Sequence, residues 1–323
     1  MKKVQTSNLT KAHGGEIEGR DISISASYPE GKVLKPEVQL VNVQPLIDIT
    51  ALTIQTAFIT DRIDGYRPAS LMLIAKPESG KTSTIDKFAN YPFIYYANEV
   101  TAKTFIDKIF PKAQTGQIRF VLIPDILNCV EKSSSTKKPL LQTLKSMVDE
   151  GVRRIETPWK EYDYPTPVKL GLISAITRES LYYSSEMQSS LFSDLKRMGF
   201  ISRMIPFSYE YPIDSTARIF NYLYGNVSSS QEKISVPQIQ FLDYQYDRFK
   251  EYEPKPELFS QLQQISVGLS YFSDSYGFRI QKNLQKLCYA SAMIEKRDEV
   301  EQKDIDKILY LSRWMNFKFN SLG

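Results

Sequence analysis

Residues 71–84 read LMLIAKPESGKTST, and this stretch decides the fold. Leu71 to Ile74 is short, aliphatic and bounded by Pro68 and Pro77, which suits a buried strand rather than a helix. Behind it comes Ala75-x4-Gly80-Lys81-Thr82. In a phosphate-binding loop of this spacing, backbone N–H groups wrap the β-phosphate, the Lys ammonium reaches the β/γ oxygens and the Thr hydroxyl takes a Mg2+ coordination site. The candidates for gripping ATP are therefore Ala75, Lys76, Pro77, Glu78, Ser79, Gly80, Lys81, Thr82 and Ser83, with Mg2+ on Thr82. The next residues, Ser83 to Ala89, open as a helix whose N-terminal dipole faces the phosphates. The rival reading is a polar surface turn after a buried strand, and Ala75 stands where Gly is commoner.

Upstream, residues 1–42 are polar and glycine-containing, an N-terminal extension that reads as an arm strapped onto the next domain. From Val43 to Ile63 apolar residues recur at helical spacing, with Gly65 and Pro68 ending the element. Downstream, Phe93 to Tyr96 is a second strand, Asn98 or Thr101 caps a helix running to Ile109, and Pro111 stops it. A third apolar run, Ile118 to Ile123, ends in Pro124-Asp125. Strands alternating with helices in this way predict an α/β fold, a parallel sheet sandwiched by helices, over 43–212.

Asp125, at the end of a wholly apolar strand, is the candidate partner of Thr82 for Mg2+. An Asp in that place is also a common turn residue. Ile126 follows where an acid that polarises water would be expected, and Asn128, Glu131 or Glu150 are possible substitutes. The strand from Val168 to Ile176 ends at Thr177, a candidate for orienting water or touching the γ-phosphate. Arg203, in Ile-Ser-Arg-Met, projects while Ile201, Met204, Ile205 and Phe207 bury; it either reaches a neighbour's γ-phosphate or forms a surface salt bridge.

Two polar excursions carry cations: EKSSSTKKP at 131–139, with Lys132, Lys137 and Lys138, and a hairpin at about 151–167, with Arg153, Arg154 and Lys160. Mixed with Ser, Trp159 and Tyr162, these suit a DNA backbone and its bases; they also suit ordinary solvated loops. Residues 213–323 begin as a linker, with an amphipathic helix around Ile239 to Phe249, and end in three helices broken at Gly277 and at Asp298 to Glu301.

Composition bounds these readings. The chain has 323 residues, 42% of them hydrophobic, enough for a substantial core. Its net charge of +4 permits nucleic acid without demanding it. Cys129 and Cys288 are too few and too distant for a disulfide framework or zinc spacing, and His13 alone makes imidazole catalysis unexpected. Neither a long apolar run nor a leader is evident, so a cytoplasmic protein without membrane contact is expected.

The phosphate loop, Asp125, Thr177, the Ile-Ser-Arg-Met string and a helical C-terminal region together resemble an AAA+ P-loop ATPase. The stretch from Arg279 to Ala292, followed by Arg297-Asp-Glu-Val-Glu-Gln-Lys-Asp-Ile, is similar to the lid of minichromosome-maintenance-type helicases. That resemblance implies a helical lid, Arg203 as an arginine finger entering from an adjacent protomer and Arg279 as a second sensor on the nucleotide. It further implies a homo-oligomeric, hexamer-like ring hydrolysing ATP on DNA, as a helicase, translocase or replication-initiation ATPase of a phage or plasmid. The alternative is a nucleotide-gated assembly or DNA-binding protein with little steady hydrolysis, for which Ile126 speaks.

Overall fold

Each short apolar run forms a strand, and the alternation within each strand divides the core in two. The computed structural model describes residues 21–23, 43–61, 65–131, 134–156, 161–182, 191–223, 240–242, 250–253, 255–273, 276–317 and 320–321. Its central strands are β1 (Leu71–Ala75), β2 (Ile94–Tyr96) and β3 (Phe120–Ile123). A hairpin follows, β4 (Val152–Glu156) with β5 (Glu161–Val168), then β6 (Gly171–Thr177), β7 (Ile205–Glu210) and the short β8 (Asn320–Ser321). The main sheet runs β8-β7-β1-β6-β3-β2 with every pairing parallel.

Because successive side chains point to opposite faces, Leu71, Leu73, Phe120, Leu122, Ile173, Ala175 and Phe207 face one hydrophobic cluster. Met72, Ile74, Val121, Ile123, Leu172 and Ile176 face the other. Burial on both faces is what a parallel sheet covered by helices requires. At the start of β6, Gly171 lies opposite Phe120, and a Cβ there would come within 2.1 Å of the ring, so only glycine fits.

The first cluster is covered by α1 (Gln44–Gln55) and by the C-terminal helices α5 (Pro256–Ser273), α6 (Phe278–Ile294) and α7 (Gln302–Leu311). Leu284, Leu287, Ala290 and Met293 of α6 pack with Leu46 and Ile49 of α1 in the same cluster as the sheet. Lys286, buried on α6, donates to the Arg67 carbonyl at 2.9 Å and ties this bundle to the segment leading into β1. Between α6 and α7, Arg297 makes a two-point ion pair with the buried Asp304, at 2.6 and 2.8 Å. That pair is the structural work of the Arg297…Asp304 spacing. The second cluster is covered by the helical run 102–114 and by α3 (Ser134–Met147).

Several boundaries differ from the sequence reading. The first helix stops at Gln55, and the chain turns through Thr56–Phe58 into a strand, Ile59–Asp61. Thr101, not Asn98, caps the next helix, accepting the Thr104 N–H at 3.2 Å. Pro111 does not end that helix: a π-helical turn, Phe105–Ile109, precedes it and puts the proline in the first turn of Phe110–Gln114, where its missing N–H costs little. Pro139 likewise lies inside α3, so Lys137 and Lys138 are on a helix rather than in a loop. Val168 belongs to the hairpin, not to β6. Ile213–Leu223 (α4) is a helix with no counterpart in the sequence reading. The helix expected around Ile239 to Phe249 is contradicted at Gln240–Leu242, a strand antiparallel to Asp21–Ser23. The rest of that segment, the linker at 225–235, the remainder of the N-terminal extension and His13 lie outside the described residues. No helix among the described residues is long and apolar enough to cross a membrane.

Candidate functional site

β1 and β6 are neighbours in the middle of the sheet. Open parallel sheets bind ligands outside the carboxyl ends of their strands. At those ends the register pairs Ala75 with Thr177. The loop 76–80 leaves Ala75 there and enters α2 (Lys81–Asp86).

Two residues of the loop have left-handed backbone, Glu78 at φ 61° and Gly80 at φ 80°. For glycine that conformation is free; for Glu78 it costs about 1–2 kcal/mol. Such alternation turns successive N–H groups toward one centre, forming a concave anion nest. The loop is braced from behind: Tyr209 donates its hydroxyl to the Ser79 carbonyl at 2.9 Å, and Tyr211 donates to the same oxygen. Desolvation pushes both phenols up, so they stay protonated and remain donors. The sequence reading missed this brace; the Tyr-x-Tyr spacing, which puts both rings on the same side of an extended chain, was its only signal.

Lys81 is buried, 8% exposed, and its ammonium donates to the Ala75 carbonyl at 3.0 Å, the Lys76 carbonyl at 2.7 Å and the Ser79 hydroxyl at 3.1 Å. All three protons are thus used on the loop's own oxygens, which stand where phosphate oxygens would compete. Burial pushes its pKa down to about 8, against the opposing pull of Asp125 and then Glu179. An ammonium so desolvated is poised to gain from an anion. A polyphosphate binding there raises the pKa again, so above pH 8 binding must take up a proton. Affinity for Mg·ATP is therefore expected to fall by up to about tenfold per pH unit above 8. Calorimetry in buffers of different ionisation enthalpy at pH 8.5–9 checks this through the proton uptake; an affinity flat in pH contradicts it.

Asp125 is half-buried, and its Oδ1 accepts the Leu127 N–H at 3.0 Å, which fixes the carboxylate. Thr82 is exposed at the first turn of α2. A hydroxyl and a carboxylate are hard oxygen donors that fit Mg2+, which keeps several waters and takes one or two protein ligands. No group of three or more His, Cys, Asp or Glu that could hold a metal occurs among the described residues. Ile126 is fully buried in the second cluster and its N–H donates to the Ala175 carbonyl at 3.0 Å, so that position faces the core.

Thr177 is at the rim, yet its hydroxyl caps the helix Arg178–Tyr182, donating to the Ser180 hydroxyl at 2.7 Å and accepting the Ser180 N–H at 3.3 Å. Arg203 does not project. It is 13% exposed, and it donates through Nε to Asp149 at 2.9 Å and through Nη1 to the Gly199 carbonyl. Arg279 does not lie over its own phosphate loop: it pairs with the same Asp149 oxygen at 2.8 Å, while Arg67 takes the other at 2.9 Å. Asp149 precedes the hairpin and Arg67 precedes β1, so this cluster of three guanidiniums on one buried carboxylate is at the opposite end of the strands from the loop. Local patterns carried no signal of Asp149 or Arg67.

The cationic candidates are divided. Lys137 is 17% exposed and faces Asp194 at 3.8 Å. Arg154 is held at 2.8 Å by both Glu156 and Glu161. Lys138 and Arg153 are exposed, and Lys132 and Lys160 lie outside the described residues. Glu131 and Glu150 are exposed, and neither is among the carboxylates that act on Lys81.

The fold and site define an α/β protein with a parallel sheet flanked by helices and a left-handed, lysine-bearing loop at the C-terminal end of a central strand. No protein-family model matches the chain, and no curated protein matches it at a significant level.

Proposed function

We propose that this chain is an ATP-binding and hydrolysing motor of the AAA+ type that acts on DNA as an oligomer. The observation carrying this reading is the desolvated Lys81 ammonium held inside a nest-shaped loop, with the Asp125 carboxylate close enough to act on it. Lys81 neutralises charge on the β/γ-phosphates, and the N–H groups of the loop fix their orientation. Thr82 and Asp125 would hold Mg2+, which would supply neutralisation of phosphate charge at this site. The Tyr209 and Tyr211 hydroxyls keep the Ser79 peptide oriented so that the nest needs no rearrangement at the moment of reaction. Arg279, 40% exposed beside Asp149, is the candidate for reaching a neighbouring protomer, and Arg153 and Lys138 for reaching the DNA backbone.

A second reading, a nucleotide-gated assembly protein that hydrolyses slowly, is favoured by the burial of Ile126. Steady-state phosphate release with and without DNA separates the two. The motor reading expects turnover that rises several-fold on adding single- or double-stranded DNA and weakens steeply with salt. ATP-dependent assembly without steady release, unchanged by DNA, supports the second reading instead.

A further inference from the structure

We propose that Glu179, just beyond the tip of β6, is the general base that activates water at this site. The inference rests on the ATP-hydrolysing reading above and supplies the acid missing at Ile126.

The position follows from the register. Ala75, the last residue before the phosphate loop, is paired with Thr177, the last residue of β6, and adjacent strands are about 4.8 Å apart. Thr177 caps the short helix Arg178–Tyr182, which places Glu179 in its first turn on the same rim. Glu179 is exposed, and among the described residues it makes no hydrogen bond or ion pair, so its carboxylate is uncommitted. Its charge nonetheless reaches Lys81: Asp125 and Glu179 are the two carboxylates that act on that ammonium. They differ in commitment. Asp125 spends Oδ1 on the Leu127 N–H and suits a fixed metal-side role, while Glu179, uncommitted among the described residues, can accept a proton.

The other acids and polar groups nearby fail on placement or chemistry. Ile126 is fully buried and its side chain faces the hydrophobic core. Asn128 has an amide, which cannot serve as a base at neutral pH. Glu150 neighbours Asp149 at the far end of the strands, and Glu131 follows the helix Leu127–Val130 without acting on Lys81. The Thr177 hydroxyl is spent on capping.

In the step assigned to Glu179, a water oxygen forms a bond to the γ-phosphorus and its proton passes to the Glu179 carboxylate. The bond from the γ-phosphorus to the β,γ-bridging oxygen breaks, and its electron pair leaves with ADP. Inorganic phosphate is the second product, and Glu179 returns the proton to solvent. A positioned base of this kind contributes about 100- to 10,000-fold.

The test is Glu179→Gln in the full chain, with Mg·ATP affinity, single-turnover hydrolysis and melting temperature measured together, and with Lys81→Ala and Glu131→Gln in parallel. Glu179→Gln is expected to bind ATP within about threefold of the wild type and melt with it, while hydrolysis falls at least about 100-fold. Glu131→Gln is expected to turn over normally. Wild-type turnover in Glu179→Gln beside an inactive Lys81→Ala overturns the inference and leaves the ATPase reading standing. Loss of binding in step with turnover also overturns it, because Glu179 would then be serving ligand affinity. A wild-type protein that neither binds nor hydrolyses ATP removes both.

Discussion

Lys81→Ala is expected to weaken Mg·ATP binding by about 30-fold or more and to reduce turnover to background. Truncating one partner of a desolvated, hydrogen-bonded charge pair costs about 2–5 kcal/mol, and each 1.4 kcal/mol is about tenfold in affinity. The same substitution is not expected to unfold the protein. In the fold the ammonium is satisfied by the carbonyls of Ala75 and Lys76 and the Ser79 hydroxyl, and burial holds its pKa down at about 8. Its charge is therefore a burden on the fold, and deleting it exchanges lost hydrogen bonds for a relieved desolvation cost. A variant that melts like the wild type but no longer binds nucleotide gives that separation directly. A variant that binds ATP normally shows that the loop is not the phosphate site.

Asp149→Ala is expected to be the most destabilising single change at the other end of the sheet. Asp149 is 5% exposed and accepts from three guanidiniums; Arg67 and Arg203 are themselves only 12% and 13% exposed. Removing the carboxylate takes the shared acceptor away from these largely buried cations, a loss of about 3–5 kcal/mol, on the order of 10 °C in melting temperature for a chain of this size. Asp149→Asn keeps an oxygen acceptor and is expected to lose less. Thermal or denaturant unfolding checks both; an Asp149→Ala protein as stable as the wild type contradicts a structural role for the cluster. The cluster also joins the segment before β1, the approach to β7 and the start of α6 through contacts spanning 82, 54 and 130 residues, so its loss is expected to loosen the helical bundle from the sheet.

Those spans show why some of the architecture was legible in sequence and some was not. The β1 strand, its loop and Asp125 are read from contiguous residues whose chemistry acts locally: an apolar run, a fixed Gly-Lys-Thr spacing and an acid at a strand end. The three C-terminal helices were equally plain, because apolar spacing over many residues outweighs boundary effects. Arg203 was read as projecting because its neighbours Ile201, Met204 and Ile205 bury, and that part holds. What local pattern could not supply was Asp149, 54 residues away, which draws the side chain inward. The pairing of Arg279 with the same carboxylate, 130 residues away, was hidden for the same reason. Pro111 and Pro139 misled in a different way: each removes one backbone donor, but the π-helical turn before Pro111 and the packed apolar face of α3 outweigh that loss. Glu179 went unnoticed because its interest comes only from β6 lying beside β1, a fact of strand order.

The most direct measurement is equilibrium binding of Mg·ATP to the purified protein and to Lys81→Ala at pH 7.5. The nest-shaped loop with its desolvated Lys81 predicts saturable binding by the wild type in the range of about 1 μM–1 mM, and its loss in the variant. No binding by the wild type at millimolar Mg·ATP, or equal binding by both proteins, would contradict the account.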